Sequence, residues 1–433
     1  MSLNLQRIAW AVLIASFIAF CVLVTVSALS LYNFLFKSTV PLAIYAEVSR
    51  GSLGITGADL REDVERGSRV ISVGNFVRPN EQDSQGVIAL RDPQMDDLFV
   101  GSVALIGATT STAVRSAERP RFEWGTSGYM ATFGSAQGRF EVILAGGLPR
   151  SAELILRSTQ GTQVRIRQAG RFEIEFRDET VTVFSHGGTA SLIPPAQSVE
   201  YVITAGSGSE YSLPTGDLRA LVPTFNLIQN SSFEDVMLQS DRNAPLNWAC
   251  NHTNVEVNAP RGTFTVQQQD GRSVLRMART GGALSNGETI CQQGLARGEV
   301  WQDISQYETL NLIVELNIAY QSLPVCGFVG SECPLMVRID YIDAKGELGE
   351  LIFGFYSLPG PPERYAQTCE SCRVPHMRLR EKSWYTFDSG NLLAGFPADL
   401  RPVAISRIRF YASGHEYDTR VSRLELTAGN VNP

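Results

Sequence analysis

The sequence predicts an all-β protein that follows a single N-terminal transmembrane helix. An uncharged apolar run covers residues 8–36, apolar and polar residues alternate with a period of two through residues 40–212, and further short alternating segments fill residues 226–430. The 433 residues also exceed what one hydrophobic core usually serves. We therefore expect an antiparallel β domain and a β-sandwich of two packed sheets, joined by a Pro-bounded linker over residues 213–225.

The run from Ile8 to Phe36 contains 29 residues without a charge. A bilayer core of about 30 Å needs roughly 20 apolar residues as a helix, since backbone groups in lipid must be satisfied internally. Residues 1–7 would form a short cytoplasmic tail, because Arg7 before the run and Lys37 after it give a slight bias to that orientation. A cleaved signal peptide is the alternative, although its apolar run is usually only about 7 to 15 residues. We predict a single-pass protein of the cell membrane, with the bulk of the chain extracytoplasmic.

Cysteine usage agrees with an exported chain. Cys21 lies in the apolar run, and the other six cysteines fall between residues 250 and 372. Six cysteines in one exported segment indicate disulfides. Their spacing favours three local pairs, which are Cys250 with Cys291, Cys326 with Cys333, and Cys369 with Cys372. Zinc held by the last four cysteines is the alternative, but the six residues between Cys326 and Cys333 exceed the usual gap of about two to four.

Composition and motifs argue against two classes of function. The net charge is -7 and no cluster of Lys and Arg stands out, so we expect no nucleic-acid partner. No GxSxG elbow, phosphate-binding loop or HExxH motif occurs, and the four histidines are scattered. Glu315 and Asp340 have the residue types of a glycosidase acid and base, but polar strand edges explain both. We therefore expect a protein that is not an enzyme.

Strand alternation is clearest in the segment GRFEIEFRDETVTVF. Its apolar residues alternate with charged or hydroxyl residues, as in half-buried antiparallel strands; they are Phe172, Ile174, Phe176, Val181 and Val183. The triplet Arg-Phe-Glu opens three predicted strands, at residues 121, 139 and 171. The unequal intervals indicate convergent strand composition rather than a true repeat.

The run STQGTQVRIRQAGRFEIEFRDETVTVFSHGGTASL, followed by VITAGSGSEYSL, resembles the extracytoplasmic part of a FecR-like domain. The resemblance covers about residues 44–212 and implies an antiparallel β domain that contacts protein partners. FecR-type regulators reach a sigma factor through a substantial cytoplasmic segment. Only seven residues precede the predicted helix, so we do not expect signal relay by that route.

The ordered landmarks NLIQNSSFED, Trp248, VWQDIS, LNLIVELNIAY, LMVRIDYIDAKGE, ISRIRFYASG and TRVSRLEL are similar to a CenC-type carbohydrate-binding module. The resemblance covers about residues 226–428 and implies a galactose-binding-like jelly roll with Phe233 and Trp248 in its core. It also implies a structural calcium site with oxygen ligands from Glu234 or Asp235. The last strand reads Ser422-Arg423 where the family often supplies an acidic residue. We expect no other cofactor.

If the jelly roll binds a sugar, exposed aromatic rings should meet pyranose faces beside amide and acidic groups. The candidates are Trp301, Tyr320, Tyr365, Trp384 and Tyr385. Each has a core role as its alternative, because aromatic residues on strands usually pack inside. The leading hypothesis is a membrane-anchored, non-catalytic protein that recognises a polysaccharide or cell-envelope glycan. The alternative is a FecR-like sensor or assembly protein that acts by protein–protein contact.

Overall fold

The computed structural model describes residues 2–58, 61–195, 197, 199–221, 224–239, 242–254, 256, 258–295 and 301–430. One helix, α1 (Ser2–Lys37), precedes a chain of β-strands, so the predicted all-β class with an N-terminal helix is confirmed. Within α1, the stretch Arg7–Lys37 is long and apolar enough to cross a membrane, and its most apolar part is not buried.

The first β unit joins its strands through one network of pairing. The two longest strands are antiparallel partners, and the second of them also pairs with the strand beginning at Gly170 and, in parallel, with the strand beginning at Ala152. The strands are β1 (Thr39–Pro41), β2 (Ala43–Arg50), β3 (Leu53–Thr56), β4 (Arg61–Val64), β5 (Ser68–Ile71), β6 (Phe76–Pro79), β7 (Gln85–Asp92), β8 (Leu98–Pro120), β9 (Tyr129–Leu144), β10 (Ala152–Ser158), β11 (Gln163–Ile166), β12 (Gly170–Phe176), β13 (Thr180–Ser185), β14 (Ala190–Ile193), β15 (Tyr201–Ile203), β16 (Ser207–Ser212) and β17 (Leu218–Ala220).

The predicted alternation in β12 and β13 produces one buried face. All five apolar residues of the segment enter the core of the first unit, namely Phe172, Ile174, Phe176, Val181 and Val183. Strand β12 pairs with both β9 and β13, and β13 pairs with β16. Because side chains alternate across a strand, the polar residues between them face away from this core.

The second β unit is a sandwich of two main sheets with a separate hairpin. Its strands are β18 (Phe225–Asn226), β19 (Val236–Gln239), β20 (Arg242–Pro245), β21 (Ala249–Asn254), β22 (Thr263–Gln269), β23 (Arg272–Arg279), β24 (Gly287–Gly294), β25 (Gln302–Asp303), β26 (Thr309–Gln321), β27 (Leu335–Asp343), β28 (Leu348–Tyr356), β29 (Met377–Arg378), β30 (Tyr385–Asn391), β31 (Pro402–Gly414) and β32 (Tyr417–Gly429). The sheet in the order β22-β23-β32-β26-β30, with β18 on β32, is called the docked sheet. The sheet in the order β21-β24-β31-β27-β28-β29, with β25 on β31, is called the open sheet.

Alternate residues of both sheets meet in one core between them. Leu312 and Val314 from the docked sheet pack with Val337 and Ile339 from the open sheet in the same buried cluster. The predicted core roles of Phe233 and Trp248 are confirmed by exposed fractions of 0% and 5%. Their rings lie 5.7 and 5.1 Å from the ring of Phe410 in β31.

Asn230 organises the NSSFED turn. Its side-chain amide donates to the carbonyl oxygens of Asp235 and Leu246 at 2.8 and 2.9 Å, while its amide oxygen accepts from the backbone N–H of Asp235 at 3.1 Å. Asn230 itself has φ of 48°, a left-handed conformation that Asn tolerates well. Trp248 donates its indole N–H to the carbonyl oxygen of Asn230 at 3.2 Å. These hydrogen bonds therefore fix the backbone conformation of the NSSFED turn at the start of the sandwich.

The predicted linker is partly ordered into strand. Residues Leu218–Ala220 form β17 and pair with β16, and Phe225–Asn226 form β18 and pair with β32. Residues 222 and 223, including the second bounding proline, lie outside the described residues. The described cores nevertheless fall on either side of this segment, within residues 42–213 and 227–428. The domain boundaries themselves stay a prediction.

The three predicted disulfides are present. Sulfur–sulfur bonds join Cys250 to Cys291, Cys326 to Cys333, and Cys369 to Cys372, and Cys21 is free. The alternative zinc site is wrong for this structure, because its four cysteines are oxidised in pairs and offer no thiolate ligands.

Candidate functional site

The docked sheet lies against the first β unit. The backbone N–H of Thr386 in β30 donates to Oε1 of Gln85 in β7 at 2.8 Å, and the guanidinium of Arg139 in β9 pairs with the Asp388 carboxylate at 2.6 Å. The outer face of this sheet is therefore occupied by the protein itself.

A buried ion network forms the centre of this contact. Arg423 of β32 is 2% exposed, and its guanidinium lies 3.0 Å from the Glu141 carboxylate and 2.8 Å from the Glu173 carboxylate. Nε2 of His186 lies 3.0 Å from Glu173 and 3.2 Å from Arg423. Burial raises the pKa of Glu173, but the His186 hydrogen bond and the Arg423 charge together hold that pKa well below its ordinary value. The Glu173 carboxylate therefore stays ionised, and its ion pair with Arg423 joins the two units.

Glu315 of β26 extends the network. Its carboxylate accepts from Arg272 at 2.8 Å, pairs with Arg171 of the first unit at 2.5 Å, and accepts from the hydroxyl of Ser422. Burial on its own raises the pKa of Glu315, but the charges of Arg171 and Arg272 outweigh it and lower the pKa to about 2. Glu315 is thus a structural anion rather than an acid catalyst, and the sandwich core separates it from Asp340 on the other sheet.

Two of the three Arg-Phe-Glu triplets supply this network. In the triplets that begin at residues 139 and 171, Phe140 and Phe172 are fully buried in the first core. The flanking Arg and Glu residues point to the opposite face and meet the docked sheet. The sequence predicted only that these triplets open strands, although the charged residues on both sides of each phenylalanine are a signal that indicates a second contact surface.

Trp384 and Tyr385 are buried at this contact, which corrects their prediction as exposed ligand platforms. Their exposed fractions are 6% and 8%. The indole N–H of Trp384 donates to Asp270 at 3.3 Å, and Arg50 of the first unit donates to the Tyr385 hydroxyl at 3.3 Å. These rings present no face to a ligand because the first unit covers the sheet that carries them.

A cavity of about 540 Å³ lies beside the ion network. Its polar walls include Arg139, Glu173 and His186. Arg139 already pairs with Asp388 at 2.6 Å, and His186 with Glu173 at 3.0 Å. These groups therefore serve the contact between the two units.

The open sheet turns a polar face away from the core. In β27, Val337 and Ile339 enter the core. Arg338 and Asp340 alternate with them along the strand and form an ion pair on the outer face. Arg409 of β31 also reaches Asp340, at 3.2 Å. This outer face contacts no part of the first unit through any described ion pair or side-chain hydrogen bond.

Asp340 is the hub of the charges on the outer face. It accepts from Arg338 at 2.6 Å and pairs with Arg407 at 2.7 Å, while the second arm of Arg338 reaches Glu350 of β28 at 2.6 Å. Burial raises the pKa of Asp340, but hydrogen bonds from Arg338 and Arg407 lower it below its ordinary value. These ion pairs hold the planar guanidinium and carboxylate groups in fixed positions relative to one another.

A cleft of about 460 Å³ runs over this charge cluster, and Trp301 forms part of its wall. Trp301 is half-buried and lies immediately before β25 on the edge of the open sheet. The other lining residues are Arg338, Asp340, Tyr341, Leu348, Gly349, Glu350, Ser406 and Arg407. Of the five predicted aromatic candidates, Trp301 is the one that the structure joins to polar groups in a cleft on this free face.

The other exposed candidates lie elsewhere. Tyr320 is 44% exposed but belongs to β26 of the docked sheet. Tyr365 is half-buried under the ring of Phe328, with 5.3 Å between the ring centroids, in the loops that carry two of the disulfides. The structure does not bring Tyr320 or Tyr365 to the cleft of Trp301.

The predicted calcium ligands, Glu234 and Asp235, are both exposed. Glu234 lines a cavity of about 220 Å³ together with Arg171, Arg272 and Arg423, whose positive charges oppose a bound cation. Among the described residues, neither carboxylate belongs to a group of three closely spaced metal-ligating side chains. The calcium site stays a prediction that this arrangement does not favour.

No protein-family model matches the sequence, and no curated protein matches it. Among solved structures, the chain is similar to the family 11 carbohydrate-binding module of a cellulosomal cellulase of Clostridium thermocellum, at 12% identity and a TM-score of 0.26, covering 49% of this chain and 98% of the module. It is also similar to a xylan-binding domain from Paenibacillus barcinonensis, at 9% identity and a TM-score of 0.26, covering 48% of this chain and 97% of that domain.

A third similar structure is a candidate anti-sigma factor from Parabacteroides distasonis, at 12% identity and a TM-score of 0.21, covering 35% of this chain and 59% of that protein. The similarities are thus to carbohydrate-binding modules and to a candidate anti-sigma factor. At these TM-scores they establish neither the fold nor the function of this chain.

Proposed function

We propose that this chain is a membrane-anchored, non-catalytic protein that binds a glycan through the outer face of the open sheet. The observation that carries the proposal is the cleft in which half-buried Trp301 stands beside the ion-paired group of Arg338, Asp340, Glu350 and Arg407. Sugar recognition needs this combination, because an aromatic face stacks on the apolar face of a pyranose while planar polar groups exchange hydrogen bonds with its hydroxyls.

The charges of the cleft favour a neutral glycan. Two arginines and two carboxylates line it, so their formal charges cancel. Each carboxylate is already paired with a guanidinium, and free lone pairs and N–H groups remain for hydroxyls at the cleft surface. A polyanion would have to compete with Asp340 and Glu350 for the same arginines.

Helix α1 supplies the proposed anchor. Its apolar stretch Arg7–Lys37 has no buried part to explain it as a core helix. Exposed apolar surface of this extent needs a non-aqueous environment, and a bilayer provides one. In this arrangement the two β units lie on the same side of the membrane, after Lys37, and the three disulfides suit an oxidising compartment.

A protein-binding role is the second candidate, and one observation favours it. Phe328 and Val329, between Cys326 and Cys333, are 56% and 70% exposed at the tip of a disulfide-closed loop. Exposed apolar residues on a loop that a disulfide constrains are typical of a surface that contacts another protein. The two candidates use different surfaces and can be separated by substitution.

The test is titration of the full-length protein, reconstituted in lipid nanodiscs, with a panel of soluble neutral polysaccharides. We expect dissociation constants of roughly micromolar to millimolar, because sugar hydroxyls exchange water bonds for protein bonds with little net gain. Intact polysaccharide should be recovered after incubation. Failure of every neutral glycan to bind folded protein would overturn glycan binding, and glycan cleavage would overturn the non-catalytic role.

A further inference from the structure

The loop between β8 and β9, residues 121–128, is called the juxta-helix loop because it packs against the last turn of α1. Strand β1 begins two residues after α1 and pairs with the end of β8, with Thr39 opposite Pro120. This pairing places the loop that follows β8 directly beside the point where the helix ends.

Backbone hydrogen bonds fix the loop to the helix. The N–H of Thr126 donates to the carbonyl oxygen of Phe36 at 2.6 Å, and the N–H of Arg121 donates to that of Ser38 at 3.1 Å. The Thr126 hydroxyl also donates to Phe36, at 3.1 Å. The loop therefore has a defined height along the helix axis, level with residues 34–38.

An aromatic series leads from the helix to the loop surface. Phe34 of α1 meets the ring of Phe122 edge-on at 5.7 Å, and Phe122 stacks on Trp124 at 4.9 Å. The Arg121 guanidinium lies 5.5 Å from the Phe34 ring. Trp124 nevertheless remains 60% exposed. The side chain that ends the series therefore has no partner large enough to cover it within the described structure.

The length of α1 indicates where the juxta-helix loop lies relative to a bilayer. The 29 uncharged residues of α1 extend about 44 Å as a helix, compared with about 30 Å for a hydrocarbon core and about 40–45 Å with headgroups. The last helical turn therefore lies at headgroup level when α1 spans a bilayer. Trp and Tyr concentrate at that level because an amphipathic ring is accommodated by both apolar chains and polar headgroups.

We propose that Trp124 inserts into the interfacial layer of the bilayer and that the juxta-helix loop attaches the first β unit to the membrane beside α1. The unit then meets the membrane at two points, the helix and the loop. This inference rests on the proposed anchoring role of α1.

The experiment is depth-dependent quenching of tryptophan fluorescence in liposomes that contain nitroxide-labelled phosphatidylcholine. The protein has five tryptophans, and Trp10 lies within α1. Trp10→Phe removes the helix signal and leaves Trp124 with three tryptophans of the second unit. In the W10F protein, a nitroxide near the headgroup should quench part of the emission more strongly than one near the chain end. The quenchable part should disappear in W10F/W124F.

The matched control is W10F/W301F, which removes a half-buried tryptophan of the second unit and should keep the quenching. Quenching of Trp10 in the unmodified protein reports insertion of α1 independently. If Trp10 is quenched but W10F and W10F/W124F behave alike, the loop proposal is wrong while anchoring stands. If no quencher affects Trp10, the anchor itself is wrong and the loop proposal falls with it.

Discussion

Arg423→Gln should destabilise the protein strongly, because it removes the cation at the centre of the contact between the units. The buried carboxylate of Glu141 and the half-buried carboxylate of Glu173 lie 3.0 and 2.8 Å from the guanidinium. Removing one partner from a buried ion pair typically costs about 3–5 kcal/mol, since the remaining charge is left uncompensated. Glu141 keeps Arg171 at 3.5 Å and Glu173 keeps Arg139 at 3.5 Å. We therefore expect a loss near the lower end, about 3 kcal/mol.

The assay is urea unfolding of the full-length protein in nanodiscs, followed by tryptophan fluorescence and circular dichroism. The control is Arg276→Gln on the docked sheet, where Arg276 is 38% exposed and pairs with Asp418 at 2.8 Å. Exposed pairs of this kind contribute about 0–1 kcal/mol. R423Q should lower the unfolding midpoint far more than R276Q. Equal shifts for the two variants would refute a stabilising role for the network.

A double-mutant cycle separates charge from packing. Glu141→Gln combined with R423Q removes a buried anion together with its cation, so the double variant should lose less stability than the sum of the single losses. Groups in one buried network show coupling energies of about 0.5–3 kcal/mol. Additive losses would show that Arg423 acts through packing alone.

Three further outcomes follow from the structure. The pKa of Glu315 is lowered from 4.5 to about 2, so its contribution to stability is present above pH 4.5 and lost as pH falls towards 2. The free energy of unfolding should therefore fall by roughly 3 kcal/mol across that window, and by less in Glu315→Gln. An equally steep drop in E315Q would contradict this account. Thiol titration of unfolded, unreduced protein should detect Cys21 alone, and further thiols would contradict the three disulfides. Protease added to intact cells should degrade residues 38–433, whereas full protection would contradict the proposed topology.

Hydrophobic periodicity predicted much of the fold. The alternation of Phe172, Ile174 and Phe176 predicted both the strand and its buried face. The uncharged run over residues 8–36 predicted the end of α1 within one residue, whereas the helix begins six residues earlier. The local spacing of the cysteines also predicted their pairing. These features depend on residues close in sequence, where the pattern itself contains the geometry.

The candidate site depended on contacts that sequence patterns do not contain. Trp384 and Trp301 are both tryptophans beside strands, yet one is buried against the first unit and the other lines a cleft. They differ because Trp384 lies at the sheet that packs against the first unit, whereas Trp301 lies at the edge of the other sheet. Which sheet packs there depends on pairs such as Arg423 with Glu141, which are 282 residues apart. A single sequence does not identify which charged residues pair at such a separation.

The central claim is tested most directly by measuring the affinity of Trp301→Ala for the tightest-binding neutral glycan of the panel, together with its melting temperature. Stacking on one aromatic ring is expected to contribute about 1–3 kcal/mol, so W301A should weaken binding by roughly 5- to 150-fold while its melting temperature stays near that of the unmodified protein. Tyr320→Ala, which removes an exposed ring on the docked sheet, should bind as the unmodified protein does. Unchanged glycan affinity in W301A would contradict the assignment of the binding face to the open sheet.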